Sequence, residues 1–445
     1  MLKTFKSGGI HPAENKFSAD QAIEILPIPK TVYIPISQHI GAPAQAIVKR
    51  GDEVKVGQVI AKSSGFVSTN IHSSVSGKVA KIDLIMDSSG YKKQCIVIDV
   101  DGDEWESTID RSTGLKKECG LDAKGIIDKV LEAGIVGLGG ATFPTHVKLS
   151  PPPGMKAEVL LLNGVECEPY LTSDHRLMLE KGEEIMVGTT LLMKAIGVNR
   201  AVIGIENNKP DAIRHLAELT KDYSGIEVCP LKVKYPQGGE KQLIKAVTGK
   251  EVPSGALPIA VGAVVNNVGT AFAVYEAVMK NKPLLERVVT ITGKPVEKPS
   301  NYMVRIGTPV GDLIEAAGGL PEDAGKIISG GPMMGRALTT TTAPVTKGTS
   351  GILILQNLEA QREAMEPCIR CGKCVTVCPM GLEPYLLMTL SEGKLWERSE
   401  KNYVMDCIEC GSCSFTCPAN RPLLDYIRLG KGTVGQIIRT RKQPK

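Results

Sequence analysis

The sequence predicts a multidomain protein of the α/β plus β class, and three observations support this. Short β-rich runs fill the first hundred residues, and an alternation of helix-like and strand-like segments follows from about Leu115. Eight of the twelve cysteines lie within residues 368–417. A chain of 445 residues is long enough for about three domains of roughly 150 residues each.

Residues 1–114 are expected to form a β-sandwich or barrel. Gly, Pro and Ser turns separate β-rich runs at 31–34, 54–60, 77–84 and 94–100. Segments 51–61 and 71–79 resemble the barrel-sandwich hammerhead (barrel-sandwich hybrid) of biotinyl and lipoyl carrier domains. Those carriers bear a modified lysine on the hairpin between the two halves, but residues 63–70 contain no lysine. The resemblance therefore implies an unmodified, lipoyl-like structural domain.

Residues 115–285 are expected to form an α/β domain. Helix-like segments at 124–133, 180–196 and 210–219 alternate with strand-like segments at 157–162, 201–205 and 226–231. Strands separated by helices are typical of βαβ units, so a mostly parallel, Rossmann-like sheet is predicted. Such sheets bind ligands at the carboxyl ends of their strands.

The remaining residues predict two further domains and a tail. Residues 286–357 return to β structure around one helix and resemble the soluble-ligand-binding β-grasp (SLBB) module. Residues 358–430 are expected to form a helical two-cluster ferredoxin-like domain. The basic tail at 431–445 is either solvated and frayed or in contact with an acidic partner or anionic lipid. The cations after Asp425, of which the first precedes the tail, are Arg428, Lys431, Arg439, Arg441, Lys442 and Lys445.

The clustered cysteines repeat one spacing twice. Each copy reads C-x₂-C-x₂-C-x₃-C-P, in which the fourth cysteine ligates the other cluster of a two-cluster ferredoxin. Two [4Fe–4S] clusters with crossed ligation are therefore predicted. One set is Cys368, Cys371, Cys374 and Cys417, and the other is Cys407, Cys410, Cys413 and Cys378. A zinc ribbon or a disulfide knot is the alternative, although zinc needs only four ligands, typically in separated pairs.

A glycine-rich segment at 137–148 begins the α/β domain. Glycines there would let backbone N–H groups approach a phosphate or a flavin ring, and Lys148 would supply a cation. The spacing departs from the G-x-G-x-x-G fingerprint, so a plain turn is equally open on spacing alone. Polar segments at 163–169, 238–241 and 265–270 follow in the same domain, and each by itself also fits a cap or turn.

Taken in this order, the four segments resemble the NADH-binding flavoprotein subunit of respiratory complex I. The resemblance implies non-covalent FMN held by Gly137, Gly139, Gly140, Lys148, Asn163, Glu166, Asn266, Asn267 and Thr270. It implies that Phe143, Glu168 and Glu240 meet the nicotinamide nucleotide. The chain departs from that family in its added hammerhead and its second cluster.

The whole combination is similar to the C subunit of the Rnf electron transport complex, a membrane-bound ferredoxin:NAD oxidoreductase. Segments 8–16, 143–149 and 166–178 carry this resemblance. It implies an ion-translocating oxidoreductase subunit that moves electrons between NAD(H), FMN and the two clusters, with hydride transfer set by the cofactors and no catalytic side chain. A soluble cobalamin reductase of diol-utilising microcompartments and a flavin-free iron–sulfur relay are the alternatives.

The resemblance implies membrane and redox subunits of the same complex as partners, with ferredoxin as donor through them. A net charge of +5 and 4% aromatic residues give no reason to expect nucleic acid. No apolar run reaches about 18 residues and no signal-peptide pattern is present. The chain is therefore expected in the cytoplasm without a span of its own, and the resemblance implies a peripheral location on the cytoplasmic face of the membrane.

Overall fold

The computed structural model describes residues 2–442. Residues 23–100 contain eight strands. These are β1 (Ile23–Ile25), β2 (Thr31–Pro35), β3 (Gln45–Ala46), β4 (Glu53–Val54), β5 (Val59–Lys62), β6 (Ile71–His72), β7 (Gly77–Met86) and β8 (Lys92–Val100). The antiparallel sheet β2-β8-β7-β4 and the sheet β3-β5-β6 share one core. Val32 and Ile34 of β2 and Ile96 and Ile98 of β8 are buried in this core. Core residues at every second position of a strand are expected where two sheets pack face to face.

The α/β domain is a parallel sheet with the strand order β11-β10-β9-β12. Its elements are α1 (Ala123–Glu132), α2 (Thr145–Lys148), β9 (Val159–Asn163), α3 (Ser173–Glu180), α4 (Gly182–Ile196), β10 (Ala201–Glu206), α5 (Pro210–Leu219), β11 (Ile226–Leu231), α6 (Glu240–Thr248), β12 (Ala263–Asn267) and α7 (Val268–Lys280). Every residue of β10 is buried, as in a sheet covered on both faces.

The helix expected at 180–196 starts later in the structure, at Gly182. Lys181 has non-helical backbone angles and separates α3 from α4. A side chain at Gly182 would come within 2.6 Å of His215 Nε2 and 2.8 Å of Leu219 Cδ1 on α5. The break therefore lies where α4 packs closely on α5.

The β-grasp region forms a mixed sheet of order β1-β14-β13-β17-β15-β16. Its elements are β13 (Glu286–Thr292), β14 (Ser300–Arg305), α8 (Val310–Ala316), β15 (Ala324–Ser329), β16 (Arg336–Ala337) and β17 (Gly351–Gln356). Strand β1, which the prediction placed in the first domain, pairs in parallel with β14. Lys3 and Ile10 form bridges to Leu231 and Tyr235 of the α/β domain. Residues 3–25 thus connect the α/β domain to the β-grasp sheet. Strands this short need the edge of an existing sheet to pair with.

The C-terminal region is helical, with α9 (Asn357–Ala360), α10 (Lys373–Thr376), α11 (Pro384–Glu392), α12 (Trp396–Lys401), α13 (Ser412–Phe415) and α14 (Leu423–Lys442). The predicted boundary at 430 falls inside α14. Val434 is buried, and Arg441 pairs with Glu400 at 2.9 Å. A frayed tail therefore does not describe residues up to 442, while residues 443–445, including Lys445, lie outside the described residues. No helix within 2–442 combines the length and apolar character needed to cross a bilayer.

The hairpin between β5 and β6, residues 63–70, lies against the α/β domain. Its Thr69 hydroxyl and Asn70 amide donate to Leu131 O and Glu132 O, both at 3.2 Å, at the end of α1. The Phe66 carbonyl lies 3.0 Å from His146 Nε2 on α2. The hairpin that carriers use to present a modified lysine is here fixed to both flanks of the glycine-rich segment.

We expect the hammerhead to carry no covalent prosthetic group, because the hairpin has no lysine and its backbone is docked. Intact-mass measurement should give the unmodified mass, with a biotinyl carrier domain produced in the same cells as the positive control. A biotinyl or lipoyl adduct on a peptide between Gly51 and Val79 would refute this.

Candidate functional site

The candidate site lies where strands of the parallel sheet end. In the register of β9 and β12, Asn163 pairs with Asn267, and Gly204 of β10 pairs with Asn163. The carboxyl ends of these three strands therefore share one edge. Polar loops at such an edge are the usual ligand site of an open parallel sheet.

The glycine-rich loop closes over this edge. Gly137 N donates to Phe143 O at 2.8 Å, so the half-buried Phe143 serves the loop through its backbone. Leu138 N donates to the buried Thr270 hydroxyl at 2.9 Å, which attaches the loop to α7. Gly139 has φ +77°, and a side chain there would approach Asn267 Nδ2 to 2.9 Å. A side chain at Gly140 would meet nothing within 4 Å, so the face of the loop at Gly140 is free.

Asn266 is a buried side chain whose amide oxygen and nitrogen both have no hydrogen-bond partner in the described protein. An unsatisfied buried polar group costs about 1–3 kcal/mol. Its neighbour Asn267 is fully used: Oδ1 caps α7 at Gly269 N, and Nδ2 donates to Asn163 O and Asp174 Oδ2. The free amide of Asn266 therefore indicates a ligand at the end of β12.

Lys148 and Glu240 form one ion pair at this edge. Lys148 Nζ donates to Glu240 Oε1 at 3.1 Å and to Val265 O at 3.0 Å. Both side chains are partly exposed, and Glu240 opens α6. The cation predicted to bind a phosphate and the acid predicted to meet the nicotinamide nucleotide thus adjoin one another.

Asn163 and Glu166 bind protein groups. Asn163 Nδ2 donates to Gly238 O at 2.8 Å, which ties the 238–241 loop to β9. Glu166 accepts from Asp174 N at 2.8 Å and His175 N at 3.1 Å, so its carboxylate caps the N-terminus of α3. Both residues therefore hold protein groups at this edge, and the direct FMN contact that the resemblance implies for them stays a prediction.

Glu168 contacts the β-grasp region. Its carboxylate accepts from Met333 N at 3.1 Å and Met334 N at 2.8 Å, in the turn between β15 and β16. Burial raises the pKa of Glu168 to about 7. This acid therefore joins the α/β domain to the β-grasp sheet, and the contact with the nicotinamide nucleotide that the resemblance implies stays a prediction.

Sequence reasoning missed two residues of this region. Lys16 Nζ donates to the carbonyls of Glu166, Glu168 and Leu171, at 2.9, 2.9 and 2.6 Å, and so fixes the whole 166–171 segment. Arg287 is buried with its Nε unpaired in the described protein. Lys16 ends the 8–16 segment and Arg287 lies in a strand, but neither belongs to a spaced motif that would assign it a partner, so the sequence carries no signal for these contacts.

The two cysteine loops have the same backbone shape. The residue after Cys-Ile in each copy, Arg370 or Glu409, has a positive φ, and so has the glycine that follows the second cysteine. These turns start the short helices α10 and α13. The repeated Cys-Ile-x-Cys-Gly sequence thus folds twice into one ligand-presenting loop.

One cysteine set lines a pocket. Its wall is formed by Cys378, Cys407, Cys410 and Cys413 together with apolar residues including Leu387 and Ile427. Burial, and after it the nearby Cys407, Cys410 and Cys378, raise the pKa of the Cys413 thiol to about 12. Burial also raises the pKa of Cys407 and Cys410. Thiols that resist ionisation by themselves suit a site where metal replaces the protons. We refer to this set as the inner site.

The other set is more exposed. Burial raises the pKa of Cys374, and the nearby Cys417 and Cys371 contribute in the same direction. Cys368 and Cys371 are exposed, whereas Cys410 and Cys413 of the inner site are buried. We refer to Cys368, Cys371, Cys374 and Cys417 as the outer site. In each site, the cysteines that lie near one another include the fourth cysteine of the other motif. Crossed ligation requires this arrangement.

The inner site touches the α/β domain. Tyr235 OH donates to Cys410 O at 2.8 Å, and Gln242 Nε2 lies 3.4 Å from Pro379 O. Gly9 N donates to Val377 O at 2.8 Å, and a side chain at Gly8 would come within 2.5 Å of the Cys378 carbonyl. The inner site is therefore held between the N-terminal segment and the domain that carries the glycine loop.

Comparison with known proteins covers nearly the whole chain. Family models match at residues 3–103 (RnfC barrel sandwich hybrid domain), 130–276 (Nuo51 FMN-binding domain), 288–337 (SLBB domain) and 360–418 (4Fe-4S dicluster domain). These matches confirm the multidomain description and the prediction of FMN and [4Fe–4S] clusters. The unpaired amide of Asn266, the free face of Gly140 and the thiol-lined pocket fit both groups.

Three relatives are subunits C of ion-translocating complexes. The proton-translocating ferredoxin:NAD(+) oxidoreductase subunit of Clostridium ljungdahlii is 50% identical over 96% of this chain and 93% of the relative. The Na(+)-translocating subunit of Acetobacterium woodii is 49% identical over 96% of both chains. The subunit of Rhodobacter capsulatus is 43% identical over 96% and 83%. An air-oxidised NAD+-reducing [NiFe]-hydrogenase shares the fold, with TM-score 0.50, 19% identity and coverage of 73% and 68%.

We expect Cys378→Ser to impair the inner cluster and leave the outer one. Under crossed ligation its EPR spectrum and iron content should match those of Cys410→Ser and differ from those of Cys371→Ser. Cys119→Ser, which changes a cysteine outside both sites, is the control and should keep both clusters. A Cys378→Ser protein that instead matches Cys371→Ser would contradict crossed ligation.

Proposed function

The chain belongs to the family of C subunits of ion-translocating ferredoxin:NAD(+) oxidoreductase complexes, and we propose on this basis how it moves electrons between NAD(H), FMN and two [4Fe–4S] clusters. The observation that carries the proposal is the contact of the inner site with the α/β domain. Tyr235 and Gln242, which make that contact, lie on either side of the 238–240 loop. One chain therefore places a hydride acceptor next to a one-electron relay.

Bound FMN supplies the exchange between a two-electron hydride donor and one-electron clusters. The residues around it bind and orient. We assign the direct FMN contacts to the backbone of Gly137, Gly139 and Gly140, to the free amide of Asn266 and to Lys148 as the phosphate cation. No side-chain acid or base is needed for the hydride step.

Four of the remaining predicted site residues are proposed to support this surface. Asn163, Glu166, Asn267 and Thr270 hold the loops and helix ends that form the edge, each through bonds to protein groups. Phe143 and Glu240 remain proposed contacts of the nicotinamide nucleotide. Glu168, with both oxygens bound in the β-grasp turn, is proposed to fix the two domains together.

The clusters are proposed to act in series. The inner cluster, on Cys378, Cys407, Cys410 and Cys413, exchanges electrons with the flavin side. The outer cluster exchanges them with another redox subunit, because Cys368 and Cys371 lie at the surface. The membrane and redox subunits of the complex, and ferredoxin acting through them, are the proposed partners at the cytoplasmic face of the membrane.

The coupling ion is proposed to be chosen by other subunits. The relatives named as proton-translocating and Na(+)-translocating are 50% and 49% identical to this chain. Nearly equal likeness to both argues that this subunit serves either ion. The same names favour this function over the soluble cobalamin reductase.

We expect Gly140→Val to abolish FMN binding while the protein still folds. The added side chain enters space that is empty of protein atoms, so only a ligand would collide with it. Flavin content of the purified, anaerobically reconstituted variant measures this. Gly120→Val, also at a glycine with open space, is the control and should keep FMN. Normal flavin content in Gly140→Val would mean that the glycine loop is only a turn.

We expect Glu240→Gln to keep FMN but to slow bleaching of the flavin by NADH. Losing a charged hydrogen-bond partner should cost roughly 1–3 kcal/mol in the interaction with the nucleotide. Stopped-flow absorbance under anaerobic conditions measures the rate. Glu251→Gln, which changes an exposed acid paired with Lys245, is the control. An unchanged rate in Glu240→Gln would exclude this residue from the nucleotide site.

A further inference from the structure

Tyr235 is a buried aromatic side chain between the α/β domain and the inner cysteine site. It is 2% exposed. Its backbone is fixed on both sides, because Tyr235 N donates to Ile10 O and Ile10 N donates to Tyr235 O, each at 2.9 Å. The ring consequently has a defined direction, toward the loop that contains Cys410.

The hydroxyl and the ring of Tyr235 contact different parts of the proposed electron path. The hydroxyl donates to Cys410 O at 2.8 Å, and Cys410 is itself buried. The ring packs in a small cluster with Ile10, Cys410, Cys167 and Met333. Cys167 belongs to the 163–169 segment at the edge of the flavin-binding sheet. Tyr235 is thus a side chain that spans the gap between that edge and the inner ligands.

The hydrogen bond from Tyr235 to Cys410 O bears on the negative charge that the inner cluster gains when it is reduced. Reduction adds a negative charge to a cluster in a water-poor site, where dipoles act strongly. A donor directed at the backbone of a ligand stabilises the added charge, and hydrogen bonding around the sulfurs is one of the factors that set cluster potentials.

We propose that Tyr235 is a positioning residue that raises the reduction potential of the inner cluster through its bond to the Cys410 carbonyl. The proposal rests on the proposed function for the identity of the inner cluster and its place next to FMN. The bond makes electron transfer from the flavin to the inner cluster more favourable. Among the hydrogen bonds of the described residues, no tyrosine hydroxyl donates to a carbonyl of an outer-site cysteine.

Redox potentiometry with EPR detection tests this on the reconstituted full-length chain. Tyr235→Phe removes only the hydroxyl. It should lower the potential of the inner cluster by about 59 mV, a tenfold change in the one-electron equilibrium, and leave the outer cluster unchanged. Cys371→Ser and Cys410→Ser supply the reference spectra for the two clusters.

Tyr302→Phe is the matched control. Tyr302 is also buried, and its hydroxyl donates to Ala316 O at 3.1 Å in the β-grasp region, away from both sites. It should leave both potentials unchanged. An unchanged inner potential in Tyr235→Phe, or an equal shift of both clusters, would overturn the proposal.

A second variant keeps the test decisive if the phenylalanine protein fails to assemble its cluster. Replacement of Tyr235 by a fluorinated tyrosine gives a more acidic, stronger donor and should raise the inner potential. A fall or no change would contradict the proposal. Flavin content is measured separately, so a chain that binds no FMN would overturn the proposed function while leaving the result on the inner cluster readable.

Discussion

Electron transfer through protein falls steeply with distance, so the inner cysteines have to lie against the flavin-binding sheet for the chain to work. The structure meets this constraint with close backbone contacts. Gly8 leaves no room for a side chain above Cys378, Tyr235 bonds to Cys410 O, and Met333 O lies within 2.9 Å of a side chain placed at Gly411. Glycines at 8 and 411 are thus required by close approach, and each would be strained by any other residue at its positive φ.

The added domains support this contact. The N-terminal segment crosses from β11 to the cluster loops and then joins the β-grasp sheet as β1. Asn301 ties these parts together: its amide donates to Ser18 O and accepts from the hydroxyls of Thr172 and Thr290, all within 3 Å. The hammerhead hairpin contacts both flanks of the glycine loop, at the end of α1 and at His146. Each domain therefore contacts one part of the proposed electron path.

Features of the fold and the site were predictable from the sequence where a pattern reflects the period of a secondary structure or the spacing of metal ligands. The apolar strands β9, β10 and β11 and the doubled cysteine motif are of this kind, since burial and cluster ligation each demand a fixed repeat. Lys16, Tyr235 and Asn301 could not be predicted, because their partners lie more than a hundred residues away in sequence. Glu166 and Glu168 were recognised as part of the site, but only the fold shows that their oxygens bind protein N–H groups.

In the proposed function, one chain is a complete relay from a hydride donor to a surface cluster. The most direct test is an anaerobic reductive titration of the purified protein with dithionite, followed by visible absorption and EPR, and repeated with NADH. We predict uptake of about four electrons per chain, two at the flavin and one at each cluster, and bleaching of the flavin band by NADH. Uptake of about two electrons without a flavin band, or a flavin band that NADH leaves unchanged, would contradict the account.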